Sequence, residues 1–320
     1  MQTTDTVASG GSPENGPVVD PTVPVEVVPP QDADEASEFG PVRYVARAVL
    51  TVLAITTLSF VLFLTLGSRL EHWNAQTKQF DRFRGALALG TAPVGQLTPD
   101  GKKLLALGTP VADLRIPSIH LHQVVGEGTT GQVLTMGPGH LRYTALPGQP
   151  GTSVIFGRAG TFGGPFKHLS RLHRGAIITT TTGAGKATFK VVDVRRAGDK
   201  VPPPPAHGSR LILTTTQEST FVPGGLLYVD ADQTSKPLPP SSSVLTANDV
   251  RSSEKANATD TGNLWKVVLL LEALVVLAVG AVWAWVRWGR YQTWIVFVPL
   301  LLVVNLLLSD QLILLLPNLT

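Results

Sequence analysis

The sequence predicts a mostly β fold, a small closed barrel, carried outside the membrane by three membrane-crossing α-helices. Two observations lead there. Three long apolar runs stand at 48–66, 264–286 and 293–316. Between the first two lie seven short segments rich in β-branched residues and bounded by Gly, Pro or Asp, at 111–116, 123–125, 152–156, 176–181, 188–194, 211–215 and 226–229. A single stretch among them, 166–172, suits a short helix. Many short strands with one helix favour a sheet closed on itself, which leaves no exposed edge.

The first run, within a span placed at 43–68, is interrupted only by Thr and Ser, whose hydroxyls return hydrogen bonds to their own helix. At about 1.5 Å per residue it crosses a hydrocarbon core. Arg43 and Arg47 precede it, so the positive-inside tendency puts the N-terminal side in the cytoplasm. A cleaved signal peptide fits less well, because the leader is long and acidic. Residues 69–104 read as a helical spacer and connector, in which LALGTAPV at 87–94 recurs as LALGTPV at 105–111. The domain at 105–232 is followed by a Ser, Pro and Thr-rich flexible linker at 233–263, a second span at 264–286, a short basic cytoplasmic turn at 287–292 and a third span at 293–316. The resulting expectation is a multi-pass plasma-membrane protein with the domain and the end of the third span outside.

Three polar residues fall inside the hairpin of spans, Glu272, Asn305 and Asp310. Counted from the outer ends they lie at depths of about 12, 16 and 9 Å. Such groups are costly in lipid and face protein or water. They are candidates for bonding within the hairpin or for docking a partner's membrane helix.

Composition narrows the function classes. The chain has no cysteine, which excludes disulfides, thiolate metal sites and a thiol nucleophile. No metal or nucleotide motif stands out, and no cofactor is expected. The net charge of +3 hides an acidic first 40 residues with eight Asp and Glu and no Lys or Arg. The remaining 26 basic and 15 acidic side chains leave about +11 elsewhere. The basic residues are scattered and several flank the spans, so nucleic acid is not an expected partner. Residues 1–42 read as a disordered, Pro-rich cytoplasmic tail.

The phrases GPGH (137–140), TALPGQPG (144–151), SVIFGRAGTFGGPFKHL (153–169) and LILTTTQ (211–217) occur in an order that resembles the sortase family, most closely its actinobacterial class E-like members. Sortases are membrane-tethered cysteine transpeptidases that join surface proteins to Gram-positive cell walls. The resemblance implies an eight-stranded barrel in the cell envelope. It also implies a cleft served by a His, a nucleophilic Cys and an Arg. Aligned through these phrases, the three positions hold Arg158, Thr216 and Gly225. An alcohol without a base is a weak nucleophile, a guanidinium stays protonated, and Gly brings no donor.

The expected function is therefore that of a pseudoenzyme, a catalytically inactive sortase-like scaffold binding a sorting-signal-like peptide or an envelope protein, with His140, Arg158 and Thr216 as groove candidates. Arg158 suits an anionic group, or else an internal salt bridge. One alternative is a variant transpeptidase or hydrolase using Thr216, with a base from His140, His168, His173 or His207. Another is an accessory subunit that meets a membrane partner through the C-terminal hairpin. The resemblance also places the proline run 202–205 beside the peptide groove. The terminal LPNLT at 316–320 is faintly similar to a sorting signal, but without the usual Thr-Gly junction it reads as a helix terminus.

Overall fold

Alternation builds the strands. In Ile177–Thr182, Ile178, Thr180 and Thr182 are buried while the residues between them are not, the period-two pattern of a strand with one face on a core. The computed structural model describes residues 40–205, 208–217, 225–259 and 261–319. The acidic tail, save its last residues, lies outside these, as does His207. The chain divides into two units, 1–49 and 50–320; the described part of the first is helical.

Eight strands form the barrel: β1 (Pro110–Ile116), β2 (Leu121–Glu127), β3 (Gly139–His140), β4 (Gly151–Phe156), β5 (Ile177–Thr182), β6 (Gly185–Arg196), β7 (Ser209–Thr216) and β8 (Leu226–Gln233). They close in the order β1-β2-β3-β4-β7-β8-β6-β5. All pairs are antiparallel except β2 with β3 and β4 with β7. Leu114, Ile155, Phe189, Leu211 and Val229 are among the fully buried side chains that fill the interior.

The expected closed, eight-stranded barrel is thus present, although "mostly β" describes the domain rather than the chain, which has more residues in helices. The stretch 166–172 is not an α-helix but contains a 3-10 turn, Leu169–Arg171. A short helix, Gly131–Met136, stands where none was expected, capped by Thr130 Oγ1 accepting from Val133 N at 3.3 Å.

The remaining helices are α1 (Gly40–Leu62), a π-helical turn (Phe63–Gly67), α2 (Ser68–Ala88), the short α3 (Gly131–Met136), α4 (Leu264–Trp288) and α5 (Arg290–Leu314). Three helices, Leu50–Ala88, Leu264–Trp288 and Tyr291–Leu314, are long and apolar enough to cross a membrane. Hydroxyls in the first do return to their own backbone, Thr56 Oγ1 to Val52 O and Thr65 Oγ1 to Val61 O, both at 2.9 Å.

One stripe of α2 packs on the barrel: Ser68, His72, Gln76, Gln79 and Phe83 are buried at helical spacing. Gln76 reaches an open edge of β2. Its Oε1 accepts from Val124 N at 2.8 Å, and its Nε2 donates to Val124 O at 3.1 Å and Met136 O at 2.8 Å. The approach is close enough that a Cβ at Gly137 would lie 2.0 Å from Gln76 Nε2, which explains the first glycine of GPGH. After β8 the chain runs along the barrel. Leu238 N donates to Gly148 O at 2.8 Å, and Val244 N and Leu245 N donate to Gln96 Oε1 at 2.6 and 2.8 Å.

Candidate functional site

Parallel pairing brings the site together. β4 and β7 run side by side in register from Gly151 with Ser209 to Phe156 with Thr214, so both strands end at one mouth of the barrel. Just beyond, Gly157 N donates to Thr214 O at 3.1 Å and Thr215 Oγ1 to Gly157 O at 2.8 Å. Arg158 and Thr216 therefore emerge together. Antiparallel β8 starts opposite, Thr216 facing Leu226, and Gln217 N donates to Gly225 O at 2.8 Å. The three positions singled out by the resemblance share one mouth.

Arg158 is fully buried. Its Nη1 donates to Thr161 Oγ1 at 3.1 Å and its Nη2 to Gly131 O at 3.2 Å, while the guanidinium lies 5.2 Å from the centre of the Phe162 ring. Burial pulls its pKa down to about 10, against the charge of Glu71 on α2, which favours the protonated form. The group is a cation at neutral pH and cannot act as a base. Glu71 also lies within electrostatic reach of Asp310 near the end of α5.

Thr216 is buried, and its hydroxyl donates at 3.0 Å to the carbonyl of Leu319. The same carbonyl accepts from Ala159 N at 3.1 Å. The chain leaves α5 after Leu314, and the residues that follow enter the mouth instead of merely ending a helix. Leu319 is fully buried in a cluster with Leu134, Leu141 and Phe156. Asn318 Nδ2 donates to Thr129 O and to Lys255 O, both at 2.9 Å, and Asn318 N donates to Ala258 O at 2.9 Å.

His140 belongs to a different cluster. Its Nδ1 lies 2.9 Å from Glu127 Oε2, and its Nε2 is 3.0 Å from Ala145 O and 3.1 Å from Thr144 Oγ1. Histidine and carboxylate are both buried, so this pair ties β2, β3 and the TALPGQPG loop together. Neither His140, His168 nor His173 hydrogen-bonds Thr216. His173 Nδ1 lies 3.3 Å from Arg171 O.

The proline run also stands elsewhere. Arg210, at the start of β7, donates from Nη1 to Pro202 O at 3.0 Å and from Nη2 to Pro203 O at 2.6 Å, while its Nε bonds Asp232 Oδ1 at 2.7 Å. Those two prolines are held at the opposite end of β7 from Thr216.

Of the intramembrane candidates, Glu272 is exposed on α4. Asn305 is buried and donates to Leu301 O of its own helix at 2.8 Å, and Asp310 Oδ2 accepts from Gln311 Nε2 at 2.9 Å. No hydrogen bond joins the three. Sequence reasoning missed Glu71 and Gln76, and it singled out 316–320 only as a faint likeness to a sorting signal, read as a helix terminus. The buried stripe of α2 had a local signal, the helical spacing of Ser68, His72, Gln76 and Phe83.

Among the described residues no cluster of His, Asp or Glu suits a metal ion.

Residues 114–221 match the model of the sortase domain. Similar solved structures include a Clostridium perfringens sortase D5 transpeptidase, 20% identical, covering 51% of this chain and 99% of its own, with a TM-score of 0.39. Sortase C-1 of Actinomyces oris is 29% identical over 39% of this chain and 75% of its own, with a TM-score of 0.33. Sortase E of Streptomyces avermitilis is 28% identical over 46% of this chain and 100% of its own, with a TM-score of 0.35. A comparison with curated proteins finds no match. The match, from within β1 to just beyond β7, takes in Arg158, Thr216 and the strands that bring them to one mouth: this stretch of the chain is similar to the sortase domain.

Proposed function

We propose that this sortase domain holds a peptide in its cleft without cleaving it, as a binding module of the cell envelope. One observation carries the reading: the Thr216 hydroxyl donates to a peptide carbonyl, and among the described residues no histidine or carboxylate hydrogen-bonds it as a base. An attacking oxygen must pass its proton to an acceptor. The neighbour at the position of the family His is Arg158, a protonated guanidinium. Gly225, at the position of the family Arg, offers no side-chain donor.

The alternative, a Thr-based transferase, needs one of the histidines at Thr216. His140, His168 and His173 do not supply it, and His207 lies outside the described residues. Three helices of membrane-crossing length support a multi-pass placement with the barrel outside, the N-terminal side in the cytoplasm and the end of the third span outside. Exposed Glu272 within the apolar stretch 267–286 of α4 supports a partner helix packed against the hairpin, because an unpartnered carboxylate is costly in lipid.

The test is incubation of the full chain in detergent micelles with labelled LPxTG and LAxTG peptides and an amine acceptor, followed by mass spectrometry. The expected result is intact peptide. Cleaved or transferred product that disappears in Thr216→Ala would overturn the proposal.

A further inference from the structure

The segment in the mouth is part of the same chain, and its contacts have the character of a built site. Leu319 fills an apolar pocket formed by Leu134, Leu141 and Phe156. Its carbonyl receives two donors, Thr216 Oγ1 and Ala159 N. The Asn318 carboxamide is 1% exposed and donates to two backbone carbonyls from different parts of the fold, Thr129 before α3 and Lys255 beyond β8. Both partners are acceptors only, so the position demands an N–H₂ group. A carboxylate of the same shape would face two carbonyl oxygens with no proton to give.

Resting on the reading of the mouth as a peptide cleft, we infer that Pro317–Asn318–Leu319 is a tethered ligand of this domain. The cleft takes a Pro-Asn-Leu segment in cis, selects it by the Asn318 carboxamide and the Leu319 side chain, and so latches the membrane hairpin to the barrel. While latched, the cleft is closed to outside peptides. Release of α5 opens it. The carbonyl that meets Thr216 is therefore not that of an incoming substrate but of the residue that blocks one.

The absence of cysteine permits a direct test. Cysteines are introduced as Ala258→Cys and Pro317→Cys, sites beside the Asn318 N to Ala258 O bond that leave Asn318 and Leu319 unchanged. The full chain in micelles is then treated with a short thiol-to-thiol cross-linker. The expected product is an internal link within one chain, found by mass spectrometry, whose yield falls at least about 10-fold when Asn318→Asp is added. Failure to link, links mainly between two chains, or a yield unaffected by Asn318→Asp would overturn the inference. In the same preparation, a fluorescent Leu-Pro-Asn-Leu peptide is expected to bind the Asn318→Asp chain at least about 10-fold more tightly than the unaltered chain. Equal binding would refute closure by the tether. Peptide cleavage by Thr216 would defeat the preceding proposal and leave the cross-link intact, so the two failures are distinguishable.

Discussion

Gln76→Ala should loosen the barrel from the helix that carries it. The substitution removes three hydrogen bonds at once and leaves Val124 N–H, Val124 C=O and Met136 C=O without that partner. Each buried group left unpaired costs about 1–3 kcal/mol. Water can reach the Met136 side, so about 1 kcal/mol each is the appropriate end of that range, or about 3 kcal/mol in all. That corresponds to roughly 150-fold in an opening equilibrium. The assay is amide hydrogen exchange of the full chain in micelles, read at Val124. Its N–H bonds Gln76 Oε1, so its exchange should accelerate by about 100-fold. Gln76→Leu restores bulk without the bonds and should match Gln76→Ala if hydrogen bonding, not packing, is the cause. A change at Val124 below about 3-fold in Gln76→Ala would refute the reasoning.

Three further expectations follow from the buried charges. Arg158→Ala strips the mouth of the hydrogen bonds to Thr161 and Gly131 and of a ring contact and should cost about 1–3 kcal/mol, seen as a lower Tm in micelles. His140→Ala leaves the buried Glu127 carboxylate without its partner at a cost of about 3–5 kcal/mol. Adding Glu127→Leu should recover part of that loss, whereas additive losses would show that the pair is not coupled. Glu254 is buried, neither carboxylate oxygen accepts a hydrogen bond, and Arg142 Nη1 lies 3.8 Å from Oε1. Burial raises its pKa, partly offset by Arg142. The folded state therefore favours the protonated acid, so this group's contribution to stability is fully present below the ordinary carboxylate pKa and is lost as pH rises through the raised one. Glu254→Gln should raise Tm at pH 7 and show little difference at pH 4, and equal shifts at both would refute the assignment.

Much of the barrel was legible because its strands are local patterns. Seven of the eight stood out by β-branched residues between Gly, Pro and Asp. The eighth, Gly139–His140, has two residues and exists through its neighbours, parallel to β2 and antiparallel to β4; nothing in its own sequence marks a strand. Helix α3 is only six residues long, too short for a periodicity to show. The shared mouth of Arg158, Thr216 and Gly225 was legible through family phrases, since those phrases fix strand ends. The tether was not. Its contacts cross 103 residues to Thr216 and 189 to Thr129, and LPNLT at 316–320, placed directly at the end of an apolar run, reads locally as a helix terminus. Likewise, Arg210 decides where the proline run lies, and a fork reaching back eight residues to Pro202 leaves no trace in the spacing of prolines.

The helix from Leu50 to Ala88 is one rod of 39 residues, about 58 Å long, passing through the π-helical turn at Phe63–Gly67 into the stripe that grips the barrel. In the proposed topology it sets the domain's altitude: Gln76, ten residues past Leu66, rides about 15 Å above the bilayer core. Each residue added between Gly67 and Gln76 would lift the domain by about 1.5 Å and swing its mouth by about 100° around the rod. The domain's working zone is thus a thin layer next to the membrane, with its bearing set by the length of one helix.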